Sequence, residues 1–259
     1  MTYETIQVAI DDDGIATLTI DRPEVRNAIK HQMVDEMHAA LEQLENDENV
    51  KALILTSSGG KAFMSGADIA ELRDRRKDDA LKGINANLFS RLERFPRPTV
   101  AAIVGYCLGG GCELALCCDF RVAGTTSRFG QPEVGLGIMA AAGATRRLPA
   151  LVGLNHARRL LFSGAIIEAE DAERIGLVDL IVPDTAVVQG ARDLLEPILG
   201  QSAEAVKRTK LTLQAWLHGE DEAQLLARDN ATQAELFEHP EKFARMDAFL
   251  AKRAAKKKK

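Results

Sequence analysis

The stretch Thr99-Val-Ala-Ala-Ile-Val-Gly-Tyr-Cys-Leu-Gly-Gly-Gly-Cys-Glu113 decides how this chain is read. Thr99 to Val104 is an unbroken apolar run with β-branched residues, the pattern of a strand buried on both faces. Gly105 breaks it, and Gly109-Gly110-Gly111 leads into a short helix expected over Glu113 to Cys118. A glycine turn between a strand and a helix leaves backbone N–H groups unpaired, and the helix dipole adds partial positive charge. That arrangement suits an oxyanion or a phosphate. A plain tight turn would account for the glycines equally well.

Working outward, the same alternation recurs. Downstream, Phe120 to Ala123 is expected as a strand, Arg158 to Phe162 and Glu168 to Ile175 as helices, and Leu177 to Val182 as a strand ended by Pro183. Upstream, Ala80 to Phe95 has helical spacing and stops at Pro96 and Pro98, while Lys51 to Thr56 is a short apolar strand. Met33, Met37, Leu41 and Leu44 mark a helix within Lys30 to Asn46. Thr5 to Ile10 and Ile15 to Ile20 alternate around Asp11-Asp12-Asp13-Gly14, which reads as a β-hairpin. Strands alternating with helices argue an α/β fold. From Ala186 onward the chain reads as helix only. The stretch beyond Gln201 is highly charged with scattered large apolar residues, a composition suited to packing against another subunit. Trp216 and Phe237 are expected on packed apolar faces there.

Composition bounds the function. The 259 residues are 46% hydrophobic and 27% charged, ordinary for a globular protein and enough for one substantial core. Aromatic content of 5% leaves the core to Ala, Leu, Ile and Val. Lys252, Arg253 and Lys256 to Lys259 concentrate positive charge at the C-terminus; removing these six from the formal net charge of −5 leaves −11 for the rest. So acidic a body is poorly matched to a nucleic-acid backbone, and the lysine tail reads as a solvated terminus. Met1-Thr-Tyr-Glu-Thr5 has no basic or apolar leader, and no apolar run reaches the roughly 18 residues of a membrane span. No signal peptide and no membrane partner are therefore expected. Cys107, Cys112, Cys117 and Cys118 crowd one segment with no histidine near it. That spacing does not suit zinc, so no metal site is expected, and free buried thiols in the cytoplasm fit better.

Candidate chemistry gathers between Gly105 and Leu148. Glu113 falls in the first turn of the expected helix, where by itself it would be read as complementing the dipole. Glu133 lies 20 residues on, in Phe129-Gly-Gln-Pro-Glu-Val-Gly135, among small and apolar residues that would raise its pKa if buried. Two carboxyls flanking one cleft can hold a water and exchange protons with it. Lys61-Ala-Phe-Met-Ser-Gly-Ala-Asp-Ile69 follows a strand, and its small residues Ser65, Gly66 and Ala67 permit close backbone approach to a ligand. Gly135-Leu-Gly137-Ile-Met-Ala140 resembles a dinucleotide fingerprint only superficially, because no convincing strand precedes it. There is no phosphate-binding P-loop and no Gly-x-Ser-x-Gly elbow, and His31, His38, His156, His218 and His239 are scattered.

At these motifs the chain resembles the crotonase, or enoyl-CoA hydratase/isomerase, superfamily. The matching segments are Asp21-Arg-Pro-Glu-Val-Arg-Asn27, Lys61 to Asp68, Gly105 to Glu113, Phe129 to Glu133, Arg147-Leu148 and Ala248 to Arg253, in the family's order along nearly the whole chain. The resemblance implies a spiral of ββα repeats over residues 1–200 and a C-terminal helical trimerisation region over 201–259, with trimers that can pair into hexamers. It implies oxyanion N–H groups from Ala67 and Gly110, and Glu113 and Glu133 as the acid–base pair. It further implies coenzyme A contacts from Lys61, Ser65, Ala67, Asp68, Ile69 and Gly110, with Phe249 and Lys252 contributed by a neighbouring subunit. The substrate would be an acyl-CoA thioester, with no cofactor beyond the coenzyme A it carries. The chain departs from the family at Ala140-Ala141, where Pro-Gly is usual, at Ala144, where Gly is common, and at Arg146, where Gln is frequent. Rival readings are an isomerase on the same scaffold, which needs only one base, and a non-catalytic acyl-CoA- or RNA-binding member.

Overall fold

The computed structural model describes residues 3–256. Met1 and Thr2, from the stretch read as having no leader, and Lys257 to Lys259 of the basic tail lie outside the described residues. The chain divides into two compact units, residues 1–199 and 200–259.

The first unit opens with β1 (Ile6–Ile10) and β2 (Ile15–Ile20), paired antiparallel with Ile6 opposite Ile20. The turn between them closes on Asp11, whose carboxylate accepts from the N–H groups of Asp13 and Ile15 at 2.9 and 3.0 Å. Then follow α1 (His31–Asn46), β3 (Ala52–Ser57) and β4 (Ala62–Met64). Next come α2 (Ile69–Asp74), α3 (Lys77–Leu81), α4 (Ile84–Glu93), β5 (Thr99–Ile103) and β6 (Tyr106–Leu108). The unit continues through α5 (Gly110–Ala115), β7 (Phe120–Gly124), β8 (Arg128–Gly130) and α6 (Ala144–Ser163). It finishes with β9 (Ile166–Glu168), α7 (Ala169–Arg174), β10 (Leu180–Val182) and α8 (Val187–Leu199).

The strands divide between two sheets. One has the order β1-β2-β3-β5-β7-β10 and is parallel from β2 onward; the other is β4-β6-β8-β9, parallel across its first three strands. Each of the pairs β3/β4, β5/β6 and β7/β8 sends its first strand to the larger sheet and its second to the smaller, then enters helix. This is the ββα repeat expected from the resemblance. β3 and β5 are buried almost throughout, as their unbroken apolar runs require, and α1 buries Met33, Val34, Met37, Ala40, Leu41 and Leu44 as one stripe.

Several elements differ from the sequence reading. The helix expected from Ala80 begins at Ile84, because Gly83 at φ 60° interrupts it, and two short helices precede it in a charged run that has no apolar period. The helix expected at Glu113 begins three residues earlier, inside the glycine run. β4, β6 and β8 have three residues each, too few to show alternation. The helix expected from Arg158 begins at Ala144, hidden in sequence by Pro149 and by a break at Gly153. The strand expected from Leu177 begins at Leu180. All four cysteines are free and buried.

The second unit is helical: α9 (Ala203–Leu217), α10 (Glu222–Glu238) and α11 (Pro240–Lys256). Ser202 caps α9 and donates to Glu241 at 2.6 Å, and Asp221 with Gln224 forms a capping box on α10. The packing expected of Trp216 and Phe237 is not found: they are 59% and 48% exposed. Phe243, Met246, Phe249 and Leu250 are exposed as well. Among the described residues, no helix is long and apolar enough to cross a membrane.

Candidate active site

The three segments singled out in the sequence leave the small sheet at the same edge. β4 runs into Ser65-Gly66-Ala67, β6 into Gly109-Gly110, and β8 into Gln131-Pro132-Glu133. Because β4, β6 and β8 are adjacent and parallel, their carboxyl ends stand side by side about 5 Å apart. The loops therefore meet above one cleft of about 760 Å³, whose lining includes Ser65, Ala67, Ile69, Gly110, Glu113 and Glu133.

Ala67 and Gly110 line this cleft from separate loops. A Cβ built on Gly66 would lie 3.8 Å from the Gly110 nitrogen, so the two loops are in close approach. Neither the Ala67 nor the Gly110 N–H donates to a backbone carbonyl among the described residues. Gly110 also opens α5, so the helix dipole reinforces its partial positive charge.

Glu113 is buried on α5. Its Oε1 accepts from the N–H groups of Ala142 and Ala144 at 2.8 and 3.0 Å, and Oε2 has no hydrogen bond among the described residues. Burial raises its pKa, while the two amides and the Arg147 guanidinium oppose that rise. Glu133 is partly buried in a single 3₁₀ turn, Pro132–Leu136. Burial pushes its pKa up to about 7, with the nearby negative charge of Glu113 adding to the rise. Near neutral pH the two carboxyls are thus in different environments. Both are desolvated, Glu113 more deeply, but Glu113 has two amide dipoles and a guanidinium favouring its charge, whereas Glu133 has the negative charge of Glu113 opposing its own.

Two neighbours tie Glu133 to its place. A Cβ on Gly109 would sit 2.8 Å from Glu133 Oε1, and Gly109 has φ 52°, so only glycine fits there. The Gln131 carboxamide, 1% exposed, lies against the carboxyl; with its NH₂ turned inward the nitrogen is 3.3 and 3.2 Å from Oε1 and Oε2. An amide can donate to the ionised acid or accept from the protonated one. Gln131 stood in the quoted motif without a role. Its signal was a carboxamide between a buried strand and a proline, a place where polar groups need partners.

Other residues fall elsewhere. Lys61 lines a separate hollow of about 320 Å³ with Arg26, Tyr106 and Arg128. Asp68 caps α2, accepting from the N–H groups of Ala70 and Glu71. Phe249 and Lys252 are on an exposed stretch of α11 in the second unit. Of the departures from the family, Ala140 is buried, Ala141 lines the cleft, Ala144 supplies one of the amides on Glu113, and Arg146 pairs with Glu93. No group of three or more His, Cys, Asp or Glu side chains converges as a metal site among the described residues.

Known proteins are similar to this chain in sequence and in fold. A family model described as enoyl-CoA hydratase/isomerase matches residues 11–259. The chain is 38% identical over 253 residues to a short-chain-enoyl-CoA hydratase of Clostridium acetobutylicum, covering 96% of this chain and 97% of that one. It is 39% identical over 212 residues to a crotonyl-CoA hydratase of Syntrophomonas wolfei, covering 81% of each. The crystal structure of an enoyl-CoA hydratase from Bacillus anthracis superposes with a TM-score of 0.90 at 29% identity, covering 96% of this chain and 97% of that one.

Proposed function

The chain belongs to the enoyl-CoA hydratase/isomerase family, and from that premise we propose that it catalyses the reversible addition of water to a 2-trans-enoyl-CoA thioester, giving a 3-hydroxyacyl-CoA. The observation that carries this reading is the placement of two carboxyls of unlike environment, Glu113 and Glu133, beside two unpaired amides in one cleft.

The thioester carbonyl oxygen lies between the N–H groups of Ala67 and Gly110. Negative charge develops on that oxygen as the β-carbon is attacked, so the amides bind the transition state more tightly than the ground state. Losing one such donor typically costs about 3 kcal/mol. A water held between the carboxyls loses its proton to ionised Glu113 through Oε2, the oxygen without a protein hydrogen bond. Its oxygen bonds to the β-carbon, and Glu133, protonated up to about pH 7, delivers a proton to the α-carbon. Dehydration runs the same steps backward. The conjugated thioester is itself the electron sink, so the reaction needs neither metal nor redox cofactor.

Ser65 and Ile69 line the route to the thioester. The coenzyme A nucleotide is assigned to Lys61 in its basic hollow, and to Phe249 and Lys252 of a neighbouring copy within a trimer or hexamer. The exposed apolar residues of α10 and α11 support such self-assembly. Two carboxyls at the cleft favour hydration over double-bond isomerisation, for which one base suffices. Incubation with crotonyl-CoA and with a 3-enoyl-CoA tests the choice: hydration is expected to dominate, and a protein that isomerises the 3-enoyl thioester but does not hydrate crotonyl-CoA would overturn it.

A further inference from the structure

Behind Glu113 lies a buried charged cluster that makes no contact with the reacting atoms. Arg147, in the first turn of α6, is 2% exposed, and Glu93, the last residue of α4, is 4% exposed. Arg147 Nε and Nη2 donate to the two Glu93 oxygens at 2.8 and 3.0 Å. Arg146 Nη2 donates to the same carboxylate at 2.9 and 3.1 Å. A buried ion pair of this kind is weak evidence for stability, because desolvation offsets its attraction. The remaining donor sets this pair apart: Arg147 Nη1 donates to the Ala142 carbonyl at 2.9 Å. The N–H of that same residue holds Glu113. Gly143, between the two amides that grip Glu113, has φ 118°, and a Cβ there would run into Arg147 Nη1. The guanidinium is therefore packed flush beneath the turn.

We propose that Arg147, braced by Glu93, is a positioning residue for Glu113: it fixes residue 142 so that two amides hold one carboxylate oxygen and leave the other free, and it sets a buried positive charge beside that carboxylate. The inference deepens the proposed hydration mechanism and rests on Glu113 being its base. The ionisable groups around Glu113 are Arg147 from α6, Glu133 from the turn after β8 and Cys117 just beyond α5, with Glu93 of α4 acting through Arg147. Within this set the two halves of the ion pair should act on Glu113 with opposite sign. Removing the arginine strips away a favourable charge and loosens the turn. Removing the glutamate leaves the arginine's charge less neutralised.

The test uses the full-length protein carrying ¹³C-labelled glutamate carboxyls, with the Glu113 resonance assigned by its loss in Glu113→Gln. Arg147→Met is expected to raise the Glu113 titration midpoint by about one pH unit, and Glu93→Gln to lower it. The acid limb of kcat for crotonyl-CoA hydration should follow in each variant, with KM changed less than about threefold. Both variants remove a buried partner and both should lower the unfolding temperature, so a purely structural role would not move the midpoint in opposite directions. An unmoved midpoint in Arg147→Met, or shifts of the same sign in both, would overturn the proposal. If Arg147→Met does not fold, the downward shift in Glu93→Gln decides alone. A midpoint that moves as expected while the rate profile stays put supports the positioning role and instead removes Glu113 as the base.

Discussion

Replacing Glu133 by Gln should make the protein more stable above neutral pH while stopping its chemistry. Glu133 has a folded-state pKa of about 7, against an ordinary carboxyl value near 4.5. Below 4.5 the group is neutral in both folded and unfolded chains and has no effect on the balance. As pH rises from there, the unfolded chain ionises freely while the folded one holds its proton, so stability falls until the folded carboxyl also ionises near 7. At 1.36 kcal/mol for each pH unit, full linkage would amount to about 3 kcal/mol. Glu133 is only partly buried and opens on the cleft, so solvent screening reduces the effect, and about 2 kcal/mol is expected. The substituted carboxamide cannot ionise, keeps the shape, and can still accept from the Gln131 amide. The assay is denaturant unfolding of both proteins at one protein concentration, at pH 5 and at pH 8.5. The free-energy difference between variant and parent should move by about 2 kcal/mol in the variant's favour between the two pH values. A difference that is the same at both, or that favours the parent at pH 8.5, would refute the placement of this carboxyl in a desolvating wall.

Kinetics should track the same groups. Glu133→Gln and Glu113→Gln should each lose about 10²- to 10⁴-fold in kcat for crotonyl-CoA hydration with coenzyme A ligands still bound, read by the decay of conjugated thioester absorbance and by calorimetry. Hydration by the parent enzyme should decline as pH rises through about 7, where Glu133 gives up the proton it must deliver; a rate flat to pH 9 would contradict this. Gly109→Ala should cost activity and about 1–3 kcal/mol of stability, since its Cβ meets Glu133 Oε1 and its φ of 52° strains any side chain. Truncating after His239, which removes α11 whole, tests the second unit: sedimentation velocity should report smaller assemblies than the full chain forms.

Some of this was legible in sequence and some was not, for physical reasons. The β1–β2 hairpin, α1 and the buried strands β3 and β5 announced themselves through an Asp-Gly turn, a helical stripe and unbroken apolar runs. The small sheet did not, although it delivers every loop of the cleft, because three-residue strands have no period to read. Glu113 and Glu133 were paired by the family resemblance, since Glu113 alone would pass as a helix-start carboxylate, and Gln131 drew no notice since its partner is two residues away across a turn. The Glu93–Arg147 pair was invisible, because nothing in a linear reading links residues 54 positions apart. Trp216 and Phe237 were misread by the general rule that large apolar side chains go inside; on α9 and α10 they stay outside.

The small sheet separates two jobs that many enzymes entangle. Its three short parallel rungs fix the spacing of the loops that carry Ala67, Gly110 and Glu133, whereas the wall formed by α2, α3 and α4 arrives as one continuous excursion between Ala67 and Phe95. Its outer part, Ile69 to Leu81, is exposed or half-buried and can be re-decorated without shifting any rung, whereas Leu88, Phe89, Leu92 and Glu93 at its end belong to the buried interior. The lining of the cleft can therefore drift by edits to a single surface segment, with the two carboxyls left in register.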